Sequence, residues 1–87
     1  MTLDLTGIHT KAALHALFKQ ALGFPEWYGP SWDAFWDSAT AIVEMPQVLE
    51  LRHWQEFAAH CPHDMQILHR VIADYALEMA PKRIVLA

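Results

Sequence analysis

Prolines and glycines cut this chain so often that only short elements fit between them: Gly7, Gly23 with Pro25, Gly29 with Pro30, then Pro46, Pro62 and Pro81. Proline lacks the N–H a helix or sheet ladder needs, so each of these positions starts, ends or interrupts an element. Thr2-Leu3-Asp4-Leu5-Thr6 alternates polar and apolar up to Gly7, which predicts a strand. With Thr10 as N-cap, Leu14, Leu17, Phe18, Ala21 and Leu22 form one apolar stripe at helical spacing, closed by Gly23 and Pro25. Lys11, His15 and Lys19 fall on the opposite side and are expected to be solvated. Pro25 to Pro30 is a loop carrying Trp27 and Tyr28, whose rings either fold back over the core or meet a partner.

Ser31 caps the next predicted helix, with Asp33 in its first turn. Pro46 introduces a strand at Val48-Leu49-Glu50-Leu51, and His53 to His60 reads as a short helix. After Pro62, Met65, Leu68, Ile72, Tyr75, Ala76 and Met79 make the inward stripe of a longer helix, with Ile67 and Val71 widening it. Pro81 ends that helix, and Arg83-Ile84-Val85-Leu86 is apolar enough for a strand covered on both faces. The order β-α-α-β-α-α-β has crossovers long enough to make neighbouring strands parallel. The expected fold class is α/β, a small three-stranded parallel sheet flanked by helices, in a single domain over residues 1–87.

Charge is distributed unevenly along the chain. No Lys or Arg occurs from Gln20 to Leu51, whereas Glu26, Asp33, Asp37, Glu44 and Glu50 all fall there, so this third of the molecule has a negative field and calls for a basic partner. A net charge of -4 with scattered basic residues argues against direct nucleic-acid binding. The hydrophobic fraction is 54% and the charged fraction 18%, which leaves aromatic surface for an interface. A single cysteine, Cys61, excludes an internal disulfide, and neither a membrane span nor a secretory signal is read, so a cytoplasmic location is expected.

On a helical period Trp32, Phe35, Trp36 and Ala39 share one arc, and Asp33, Asp37 and Thr40 share another. Two carboxylates one turn apart repel by a few tenths of a kcal/mol, roughly, and make sense if a cation comes from outside. Three other readings are weaker. Asp33 and Asp37 as general acid and base would need a pocket. His60, Cys61 and His63, with His69 beyond, lack the paired spacing of a metal site. Cys61 has no evident activating partner as a nucleophile. No phosphate loop, nucleophile elbow or HExxH motif is present, so neither an enzyme nor a cofactor is suggested.

Phe24-Pro25-Glu26-Trp27-Tyr28-Gly29, Trp32-Asp33-Ala34-Phe35-Trp36-Asp37, Thr40, Val43-Glu44 and Pro46 together resemble the barstar family of intracellular inhibitors of secreted, barnase-type ribonucleases. Val48 to Arg52 and Ile84-Val85-Leu86 continue the resemblance over essentially the whole chain. It implies the fold just described and a protein inhibitor whose loop and second helix fill a nuclease active site. By this resemblance Asp37 matches the central aspartate that takes the place of substrate phosphate. Trp27, Tyr28, Gly29, Asp33, Thr40 and Glu44 match interface positions, Asp74 and Glu78 match the acidic rim, and Phe35 and Trp36 match core residues. Trp32, Pro30-Ser31 and Ala41-Ile42 depart from the barstar pattern, so the expected partner is a related basic ribonuclease or nuclease toxin. Trp32 and Ala41 are included in the expected contact surface. A barstar-like module with a non-nuclease partner is the alternative, and a small carboxylate hydrolase lies behind it.

Overall fold

A computed structural model describes residues 1–87. The chain runs β1 (Thr2–Asp4), α1 (Lys11–Leu22), α2 (Trp32–Asp37), a π-helical turn (Ser38–Ile42), β2 (Val48–Arg52), α3 (Gln55–His60), α4 (Pro62–Glu78) and β3 (Arg83–Leu86). The three strands form one parallel sheet in the order β1-β2-β3. This is the expected α/β class and order of elements.

Side chains alternate across the sheet, and its register sorts them into two unlike faces. Leu3 lies beside Leu51, Leu49 beside Ile84 and Leu51 beside Leu86. All of these are buried except Leu86, which is half-buried, and with Leu5 they form the sheet's contribution to the core. The opposite face carries Thr2, Asp4, Glu50, Arg52, Arg83 and Val85, none of them buried. Arg52 Nε donates to Glu50 at 2.7 Å there, as befits a solvated face. β3 is therefore not covered on both faces as its composition suggested: Ile84 is buried, but Val85 is only half-buried.

Local chemistry explains where the elements stop. The Asp4 carboxylate accepts from the Thr6 backbone N–H at 2.9 Å and the Thr6 hydroxyl at 2.6 Å, which turns the chain and ends β1 two residues before the expected Thr6. Those bonds, with the His53 ring, hold the Asp4 carboxyl down at about 2. Thr10 caps α1 by accepting from Ala13 N–H, and Gly23 closes it at φ 69°, a left-handed geometry that glycine adopts without Cβ strain. α3 begins two residues later than expected because His53 sits at φ 56° with its ring bonded to Asp4 at 2.9 Å.

Sixteen buried apolar residues make one core, in which Phe18, Phe35, Phe57, Leu14, Leu49, Leu51 and Leu68 are fully enclosed. Each such side chain contributes about 1.5–3 kcal/mol by leaving water. From α4, Met65, Leu68 and Tyr75 enter the core, with Ile72 and, just past the helix end, Met79 half-buried. Ala76 does not join them: one step past Tyr75 turns it about 100° around the axis, and it is exposed.

Candidate inhibitory face

α2 is short, and the way it begins and ends decides how its side chains are aimed. The Ser31 hydroxyl accepts from Ala34 N–H at 3.0 Å and starts the helix. Phe35 and Ala39 then enter the core and fix the rotation of the element. From Ser38 the helix widens into a π turn, with Val43 N–H reaching back to Ser38 C=O at 3.0 Å. The uniform 3.6 period assumed from sequence therefore fails after Asp37. Asp33 and Asp37 stand exposed, whereas Thr40 is half-buried and its hydroxyl donates to Trp36 C=O at 2.7 Å.

Trp32 and Trp36 are half-buried and pack against the edge of the core, so Trp36, expected inside it, is only partly enclosed. With Asp33 they form one bank of a groove of about 340 Å³ whose other bank is Ile67, Arg70, Val71 and Asp74 of α4. The Trp32 indole N–H donates to Asp64 at 3.1 Å, docking α2 on the first turn of α4. Glu78, one turn beyond Asp74, is exposed as well. The structure thus brings Asp33 and Asp74 to one groove although 41 positions separate them in sequence. Asp33, Asp37, Asp74 and Glu78 form no ion pair within the chain.

Glu44 differs. Its carboxylate is exposed and meets Lys82 Nζ at 2.8 Å, a bond that holds its carboxyl below the usual range. Sequence proximity offered no cation for Glu44, because Lys82 arrives from the turn before β3.

The loop between α1 and α2 corrects two expectations. His15, expected on the solvated side of α1, is 1% exposed, because Phe24 to Ser31 folds back over that side. Its Nδ1 is hydrogen-bonded to the Tyr28 hydroxyl. Burial lowers His15 to about 4 and pushes the Tyr28 phenol well above its ordinary range. Tyr28 is itself buried, its ring 4.8 Å from that of Phe24. The contact area expected from Tyr28 is therefore inside the protein, and Trp27, at 67% exposure, is the loop's outward ring. Gly29 is half-buried beside it, and Ala41 is exposed at the end of the π turn with Ile42.

No group of three His, Cys, Asp or Glu side chains is arranged to hold a metal ion. The Cys61 thiol donates to His9 C=O at 3.2 Å, and the His60 ring stacks on His9 at 4.1 Å. These contacts tie the β1–α1 connection to α3, where His9 also meets Glu56 at 2.8 Å. Asp37 lines none of the molecule's three depressions, and Asp33 lines only an open groove, so the two carboxylates do not share the enclosed cleft that acid–base chemistry needs. No helix is long and apolar enough to cross a membrane.

A small three-stranded parallel sheet flanked by helices, with the acidic α2 and an aromatic loop beside it, is the architecture of an inhibitor fold. The chain belongs to the barstar family: the family description "Barstar (barnase inhibitor)" matches residues 1–87. Over 42 residues it is 40% identical to "Putative ribonuclease inhibitor YrdF" of Bacillus subtilis (strain 168), a match covering 48% of this chain and 46% of that protein. The chain thus matches this curated relative over about half of the relative's length.

Proposed function

We propose that this protein is a cytoplasmic immunity protein that binds a basic ribonuclease or nuclease toxin and occludes its active site, protecting the cell that makes both. The observation that carries this reading is the pair Asp33 and Asp37, exposed on one side of α2 without an ion-pair partner, while Phe35 of α2 and Ala39 of the π turn that continues it lock the other side. An acidic face of this kind accelerates encounter with a cationic cleft and selects for it. Trp27 at the loop tip and the half-buried Trp32 and Trp36 supply apolar contact beside the charges. Inhibition by occlusion involves no cofactor and no turnover, and the partner is a protein, not nucleic acid or membrane.

The test is a ribonuclease assay titrated with the wild-type protein and with Asp37→Ala, using barnase and any basic ribonuclease encoded beside this gene. Wild type should inhibit stoichiometrically. Asp37→Ala should lose about 2–5 kcal/mol of binding, because nuclease cations would be left desolvated and unpaired. Equal potency of the two proteins would remove Asp37 from the mechanism.

A further inference from the structure

The loop between α1 and α2 is tied down on both sides of its exposed ring. Lys19 Nζ donates to the Glu26 carbonyl at 2.9 Å, and the His15 ring pairs with the Tyr28 hydroxyl. His15 and Lys19 stand one turn apart on the same face of α1, and Glu26 and Tyr28 are the two neighbours of Trp27. Between the ties the loop stands off the helix, leaving a cleft of about 190 Å³ lined by Ala12, His15, Ala16, Lys19, Tyr28 and Pro30. The small side chains of Ala12 and Ala16 do not fill it. The loop's own bonds, Tyr28 N–H to Pro25 C=O at 2.9 Å and Ser31 N–H to Gly29 C=O at 2.8 Å, shape its turns without attaching them to α1.

We infer that Lys19 and His15 are positioning residues of the inhibitory face: together they hold Trp27 outward in one geometry before a partner arrives. The loop is then ordered on folding, so binding does not carry that entropy cost, and the ring meets its partner preformed. Neither residue needs to touch the partner. The inference rests on reading this loop as part of the inhibitory face, and its test is chosen to be decided on the free protein.

The test is backbone 15N relaxation on wild type, Lys19→Met, Tyr28→Phe, the double variant and Lys19→Arg. Methionine keeps the stem of Lys19 and removes its donor; phenylalanine keeps the ring on Phe24 and removes the hydroxyl that His15 holds. In wild type the Trp27 amide should show an order parameter of about 0.85, and in the double variant it should fall below about 0.6. Lys19→Met alone should give an intermediate value with an unchanged melting temperature, and Lys19→Arg should return to wild type. A Trp27 amide as rigid in the double variant as in wild type overturns the inference. A second arm measures binding of whichever of barnase and the neighbouring-gene ribonuclease the wild type inhibits, where the double variant should lose about tenfold in affinity, independently of Asp37→Ala. A mobile loop with unchanged affinity also overturns the positioning role. Wild-type protein that neither binds nor inhibits barnase or the neighbouring-gene ribonuclease counts against the inhibitor reading, while the relaxation data still decide whether Lys19 and His15 hold the loop.

Discussion

The Trp32 indole N–H donates to the Asp64 carboxylate at 3.1 Å, joining the first residue of α2 to the first turn of α4 across 32 positions of sequence. The same ring lies edge-on to His15, with centroids 4.7 Å apart, so Trp32 also bridges α2 to α1. The orientation of the acidic helix thus depends on a bond made by its own first residue.

Trp32→Phe keeps most of the ring and removes the bond. It should lower the unfolding free energy by about 1–2 kcal/mol, the net worth of a hydrogen bond to a charged, half-exposed acceptor. Asp64→Ala should cost about 0.3–1 kcal/mol more, since it also removes a carboxylate from the first turn of α4. Urea denaturation of the two variants and the double variant measures both. A double variant equal to the sum of the singles would show that the two residues do not interact.

Stability should fall on mild acidification because of His15. Burial lowers its pKa from 6.5 to about 4; Lys11 lowers it further and Asp64 acts in the opposite sense. The unfolded chain therefore takes up a proton near pH 6.5 that the folded protein refuses until near pH 4. The stabilisation is complete above pH 6.5 and is lost progressively down to pH 4, on the order of 3 kcal/mol in all. Below pH 4 both states are protonated and this contribution is flat. Urea unfolding across this range should show the slope in wild type and its loss in His15→Gln; an equal slope in both would assign the acid sensitivity to other groups.

The sequence made the fold legible because its signals are local. Thr10, Ser31, Gly23 and Pro62 act on the backbone beside them, and each marks a helix end in the structure. Asp33 and Asp37 were legible as an exposed pair for the same reason. What escaped was set by contacts between distant segments. The environment of His15 depends on a loop 13 residues away, that of Glu44 on Lys82, 38 residues away, and neither separation leaves a periodic trace. The π turn escaped for a different reason: Ser38-Ala39-Thr40-Ala41-Ile42 is an ordinary helical string, and only packing reveals the extra residue in the turn.

Asp74 sits on the far bank of the groove from α2 and Glu78 one helical turn beyond it, both exposed and without an ion pair. Such rim charges act mainly on encounter. Alanine at either position should slow association with a basic ribonuclease by about twofold to fivefold at low salt, with little change in dissociation. At about 0.5 M salt, where the screening length is only a few ångströms, the difference should vanish. Stopped-flow association with the ribonuclease that the wild type inhibits, at two salt concentrations, distinguishes this from a contact role, in which dissociation would speed up at both.

Glu44 allows a prediction of opposite sign. Its carboxylate is already bonded to Lys82 Nζ at 2.8 Å, so a cation from this chain occupies the acidic face at that point. Lys82 has a mostly covered side chain, which makes methionine the replacement that keeps the stem in place while removing the charge. Lys82→Met should leave Glu44 uncompensated, make the face one charge more negative and speed association with a basic ribonuclease by about twofold at low salt. Glu44→Gln in the same background should cancel the gain. If the bond's role is instead to hold the turn before β3, Lys82→Met will lower the melting temperature and leave association unchanged. Thermal melts run beside the stopped-flow traces separate the two, because a freed carboxylate changes the rate without changing the melt.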